Sequence, residues 1–231
     1  MADDLIGLYR TMLAEGQASP VIQAQLAQAL LDDRQYDAAI EAADIALADD
    51  PNLIAARLAR ASACKNLCRF NEAARDYEAV NSLVPGRWGI LVNLGTTYAE
   101  MDRLGEAEAC LRRAVLSEPG RKEGYANLAS VYTRQEKFAL AEEACRKALS
   151  LDPQLIIAHQ NLAGILATTN PEKARFHRDA AFRQRQIFIE PGAPSSRPVL
   201  VLTTADASGV PLTHLLPREH YTQIRWFIDY A

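Results

Sequence analysis

Long hydrophobic runs are missing from this sequence. No stretch approaches the roughly 20 apolar residues that a membrane-spanning helix requires, and the N-terminal MADDLIGLYRTML is acidic where a secretory leader is basic. These two absences lead us to expect a cytoplasmic protein with no membrane partner. Cysteine is scarce: only Cys64, Cys68, Cys110 and Cys145 occur, which suits a compartment where thiols stay reduced. The CKNLC pair has no histidine or third cysteine near it and makes a poor metal site. All four thiols are read as small core residues. An excess of basic charge is also lacking; the formal charge is −4, so nothing draws the chain electrostatically toward nucleic acid. Phosphate-cradling G-x-G-x-x-G and G-K-[ST] motifs are absent from the Ala205–Pro211 stretch. His214 and His220 have no nucleophile at a recognisable spacing. No metal, no cofactor and no enzymatic activity are expected.

What is present is repetition. Prolines stand at Pro51, Pro85, Pro119 and Pro153, each 34 residues after the last. Alanines share that step at Ala39, Ala73, Ala107 and Ala141, and small residues recur at Ala27, Ala61, Gly95, Ala129 and Ala163. Larger residues recur at Tyr36, Phe70, Leu104 and Phe138; a second alanine series, Ala46, Ala114 and Ala148, is broken only by Val80. Alanine favours helix and lets helices approach closely. A period of this length marks a stacked-repeat architecture, in which one unit cannot bury its apolar face alone.

The period and the segments NLGTTYAEMDRLGEAEACLRRAVLSEPG (93–120) and NLASVYTRQEKFALAEEACRKALSLDP (127–153) resemble the tetratricopeptide repeat. The resemblance implies an all-α, right-handed α-solenoid of helix–turn–helix units. Four repeats are expected at 20–53, 54–87, 88–121 and 122–155, with a degenerate fifth at 156–189 interrupted by Pro171. Their first helices fall near 21–32, 55–66, 89–100 and 123–134, and their second helices near 37–48, 71–82, 105–117 and 139–150. Repeat 2 departs from the pattern with Arg60 where its neighbours have leucine; its stem is expected to pack while its head stays in water. Residues 1–19 hold an amphipathic helix, Asp3–Glu15, with Gly16 as its stop, and are read as a cap over the first repeat.

In such arrays the first helices line a concave groove, and the resemblance implies that this groove holds an extended peptide or a partner helix. The residues it would place there are Gln25 and Gln28; Ser62, Lys65 and Asn66; Asn93 and Thr96; Asn127, Ser130 and Arg134; and Asn161. Asn93, Asn127 and Asn161 are themselves 34 residues apart. An amide carries a donor and an acceptor together, so a row of amides can read a peptide main chain. The row resembles the asparagine ladder in the repeats of O-linked N-acetylglucosamine transferase. It has three rungs, since repeat 1 has Gln25 and repeat 2 has Ala59 at that position. A carboxylate clamp like that of chaperone-binding relatives is not expected, because the matching positions (Ala24, Gln28, Ala59, Gly89 and Asn93) are neutral. Lys65 and Arg134, near the ends of their helices, are read as solvated charges.

Composition shifts after Gln186. EPGAPSSRP, residues 190–198, is rich in Pro, Ser and Gly and reads as a linker. Residues 199–231 carry the apolar VLVLTT run and the alternating QIRWFIDY, a β-α-β-like tail too small to be stable alone. The tail resembles the start of an α/β domain of the ATP-grasp kind. A rival expectation follows: the repeats are the regulatory or substrate-recruiting arm of an enzyme whose catalytic domain begins near residue 198. A second copy, joined through the N-terminal helix or the tail, is a further partner to consider.

Overall fold

The structure is a computed structural model and describes residues 2–167 and 169–183. The expected linker and β-α-β-like tail, with His214 and His220, lie outside the described residues. Among the described residues the chain forms eleven α-helices and no strand. After α1 (Ala2–Ala14) come five hairpins. Their first helices are α2 (Pro20–Asp32), α4 (Ile54–Asn66), α6 (Trp88–Glu100), α8 (Lys122–Arg134) and α10 (Ile156–Leu166). Their second helices are α3 (Tyr36–Asp49), α5 (Phe70–Leu83), α7 (Leu104–Ser117), α9 (Phe138–Leu151) and α11 (Pro171–Arg183). Successive first helices begin 34 residues apart, as do α3, α5, α7 and α9. Helix α11 begins early because Pro171 sits at its first position, where the missing N–H costs nothing, and the Asn170 side chain accepts from the Lys173 N–H.

Three residues join the two helices of each of the first four hairpins. The turns are alike in detail. Arg34, Cys68, Asp102 and Glu136 lie at φ 61, 58, 58 and 60°, in the left-handed region. At each, the N–H of the left-handed residue bonds back to the helix (Arg34 to the Leu31 carbonyl at 3.0 Å), and the next N–H reaches one residue further (Gln35 to Leu30 at 2.9 Å). This pair of bonds satisfies carbonyls that the helix end would otherwise leave unpaired.

One hydrophobic cluster runs continuously from Ile6 in α1 to Ala174 in α11. The alanine columns are its spine: Ala39, Ala73, Ala107 and Ala141 are all 0% exposed, as are Ala27, Ala61 and Ala129. Tyr77, Leu30, Leu91, Leu111 and Leu162 fill the spaces between them, each such aliphatic side chain contributing about 2 kcal/mol by burial. Helix α1 lays Ile6 against this core and leaves Leu5 and Leu8 exposed.

Gly95 marks the tightest crossing. A Cβ there would lie 2.7 Å from Leu111 Cγ and 3.3 Å from the Ala107 carbonyl oxygen. In the same two columns the fourth hairpin has Ala129 and Cys145, so there a methyl on the first helix goes with a smaller side chain on the second. Gly95→Ala is therefore expected to cost about 1–2 kcal/mol in urea denaturation, overpacking outweighing the helix-propensity gain. Combined with Leu111→Cys it should lose at least ~1 kcal/mol less than the two changes summed. A neutral Gly95→Ala would show that the crossing has slack.

Candidate functional site

The first helices pack on one another: α2 on α4, α6 on α8, and α8 on α10. The second helices make no comparable contact among themselves, so the hairpin stack curves with its first helices on the inner side. The contact of α4 with α6 is the sparsest of this series. The turn leading into α6 is built differently from two of the others. Asp50 and Asp152 accept from the backbone N–H of Asn52 and Gln154 in the turns before α4 and α10. Val84 offers no such acceptor before α6, and Gly86 there takes φ 78°.

Asn93, Asn127 and Asn161 each occupy the sixth position of their helices, α6, α8 and α10. All three are partly buried. Among the described residues the Asn93 and Asn127 amides have no hydrogen-bond partner, whereas Asn161 Nδ2 donates to Ser130 Oγ at 3.0 Å. That bond links α10 to α8 and leaves the Asn161 carbonyl oxygen and its second amide N–H without a partner among the described residues.

The other expected residues, Arg134 apart, divide into three sets. Gln25, Gln28 and Asn66 are exposed, with Gln28 Nε2 donating to Asp32 at 2.8 Å and Asn66 Nδ2 to the Ser62 carbonyl at 2.8 Å. Ser62 turns inward, its hydroxyl 3.1 Å from the Tyr77 hydroxyl, and Ser130 donates to the Ala126 carbonyl. Lys65 and Thr96 are brought together, the Lys65 Nζ donating to Thr96 Oγ1 at 2.7 Å across the α4–α6 seam.

Of the two long cations, Arg134 is exposed and Lys65 is not. Arg134 reaches back from α8 to the end of α6, where it donates to the Ala99 carbonyl and, at 3.1 Å, to Asp102. Lys65 is partly buried, and burial holds its ammonium below the ordinary lysine value while Glu100 opposes that shift. A separate open groove of about 740 Å³, between α7 and α9 and floored by Tyr125, Leu128 and Tyr132, contains none of the expected residues.

Three thiols are core residues as expected. Burial raises Cys64 and Cys110 above the usual thiol range and pushes Cys145 up to about 12. Cys68 is the correction: it is exposed, because it holds the left-handed turn position that Arg34, Asp102 and Glu136 hold elsewhere. Among the described residues no group of three or more His, Cys, Asp or Glu could hold a metal ion. No described helix is long and apolar enough to cross a membrane.

A family model for the N-terminal tetratricopeptide-repeat region of psidin matches residues 28–151, more than half of the chain. The chain belongs to the tetratricopeptide-repeat family. No curated protein matches it. Among solved structures it is similar to MamA from Desulfovibrio magneticus RS-1 (TM-score 0.65, 20% identity, 80% of this chain and 98% of that one). It is similar also to YrrB (TM-score 0.64, 18% identity, 77% and 92%) and to PilF from Pseudomonas aeruginosa (TM-score 0.63, 22% identity, 79% and 77%). At these identities the likeness is one of fold.

Within the tetratricopeptide pattern, repeat 2 replaces two apolar columns at once. Leu26, Leu94, Leu128 and Leu162 share a column with Arg60, and Ala42, Cys110 and Ala144 share one with Asp76. The Arg60 head does not sit in water as expected. It forks onto Asp76 through Nε at 2.7 Å and Nη2 at 2.8 Å, and its third nitrogen bonds Asp44. Arg57 adds a bond to Asp76 at 2.9 Å. Hydrogen bonding to Asp76 raises the Arg60 pKa above its ordinary value despite the burial of the guanidinium.

Proposed function

We propose that this tetratricopeptide protein is a protein-interaction scaffold that holds an extended peptide along its first helices, with Asn93, Asn127 and Asn161 bonding the peptide main chain. One observation carries the reading. Three amides recur at one helical position on the inner side of the stack, and those of Asn93 and Asn127 are left without a partner among the described residues. An amide that the fold does not use is available to a peptide N–H and C=O together. YrrB, similar in fold, is described as a tetratricopeptide protein with an unusual peptide-binding site, which accords with a peptide ligand here. Catalysis has no part in this reading, and the reduced-thiol chemistry of the sequence suits a cytoplasmic setting.

The test uses the full chain and peptides selected against it from a random displayed library. Each lost amide removes about 1 kcal/mol of hydrogen bonding, so the Asn93→Ala, Asn127→Ala, Asn161→Ala variant should bind those peptides on the order of 100-fold more weakly. Alanine at three helix positions keeps the fold intact, which circular dichroism verifies. An unchanged affinity, read by fluorescence anisotropy, would end the ladder reading.

A further inference from the structure

Among the described residues, the lysines and arginines obey a simple rule with one exception. Arg57 and Arg60 pair with Asp76, and Lys122 pairs with Asp152. The remaining cations are exposed, whether paired or not. Lys65 alone is neither exposed nor paired with a carboxylate. Its one acceptor is the Thr96 hydroxyl, and that hydroxyl gives its own proton to the Asn93 carbonyl at 3.0 Å. An ammonium has three donors; two therefore lack an acceptor among the described residues. Glu100 acts on Lys65 through space, but it is exposed and forms no ion pair with it. A partly buried cation without a counter-charge is costly to hold. Lys65 reaches from α4 to Thr96 of α6, which lies one helical turn from the unpartnered Asn93.

We propose that Lys65 is the point at which the groove receives an acidic side chain of the bound peptide. The Glu or Asp carboxylate takes the two spare ammonium N–H groups, while Asn93 holds the adjoining main chain. The inference rests on the reading that a peptide lies along the first helices, and it adds a chemical preference to a groove whose other expected polar groups, apart from the Asp102-paired Arg134, are neutral amides and hydroxyls. The ammonium is kept short of a carboxylate in the free protein, and the ligand supplies one. Methionine in place of Lys65 keeps the length of the stem and removes the unpaired charge, so Lys65→Met should raise the melting temperature of the free chain. A purely structural lysine would lower it.

The experiment compares fluorescein-labelled octaglutamate and octaglutamine by anisotropy at low ionic strength. The wild-type chain is expected to prefer octaglutamate by about tenfold or more, the scale of a charge-assisted hydrogen-bonded contact. Lys65→Met should reduce that preference to within about twofold, and Lys65→Arg should retain most of it. The Asn127→Ala, Asn161→Ala variant should weaken both peptides alike and leave their ratio unchanged. Equal affinities in the wild-type chain, or no measurable octaglutamate binding, would overturn the inference, as would a Lys65→Met chain that keeps the preference. If Asn127→Ala, Asn161→Ala changes neither affinity while Lys65→Met abolishes the preference, the main-chain ladder fails and the acidic contact stands.

Discussion

Asp76→Ala should cost about 3–5 kcal/mol, because it strands two arginines that the fold has drawn from water. Asp76 is 2% exposed and receives three hydrogen bonds, one from Arg57 and a fork from Arg60. Removing the carboxylate leaves Arg60 only Asp44, which is itself half exposed. The loss belongs to the stranded charge more than to the bond. A well-packed apolar pair in the same place is often as stable as a buried ion pair, and the chain supplies the template, since Leu26 with Ala42 and Leu128 with Ala144 occupy the same two columns. The double variant Arg60→Leu, Asp76→Ala should therefore recover most of what Asp76→Ala loses, with Arg57 keeping its bond to the Pro51 carbonyl. Urea midpoints followed by circular dichroism decide it. A single variant that loses less than ~1 kcal/mol, or a double variant no better than the single one, would show that water reaches the cluster.

The period made the helices and the buried alanine columns legible before any coordinates, since equal spacing forces equal roles on residues such as Ala39, Ala73, Ala107 and Ala141. The shared register of Asn93, Asn127 and Asn161 was legible for the same reason. Departures from the period were harder to read, because the meaning of an odd residue lies in its neighbour. Arg60 taken alone suggested a solvated head; its partner Asp76 is 16 residues away on the other helix of the hairpin. The signal was there as two apolar columns broken in one repeat by opposite charges. Cys68 likewise shares its column with Arg34, Asp102 and Glu136, a polar set that already argued against burial. Lys65 offered no such sign. Its surroundings depend on how α4 meets α6 and on the Thr96 hydroxyl across that seam, and neither follows from spacing.

The turns carry the second large expectation. A non-glycine residue in the left-handed region costs about 1–2 kcal/mol, and this chain places four there with no shared chemistry: arginine, cysteine, aspartate and glutamate. Each is held by its own N–H and by that of the next residue, as in Cys68 to Lys65 at 3.1 Å and Arg69 to Cys64 at 2.8 Å. Those backbone bonds are indifferent to the side chain, so glycine keeps them and relieves the Cβ crowding. Glycine also gains entropy in the unfolded chain, which leaves a net benefit of about 0.5–1 kcal/mol per turn. Of the four, among the described residues only Asp102 has a bond between its own side chain and a neighbouring repeat, to Arg134 at 3.1 Å, and an exposed pair of that kind contributes little. The variant Arg34→Gly, Cys68→Gly, Asp102→Gly, Glu136→Gly should therefore be about 3 kcal/mol more stable, the four sites adding nearly independently. The gain must appear stepwise in the urea midpoint as each turn is changed. If the quadruple variant melts no higher than the parent, the left-handed turns are not where strain resides, and the hairpins owe their geometry to side-chain contacts that glycine would remove.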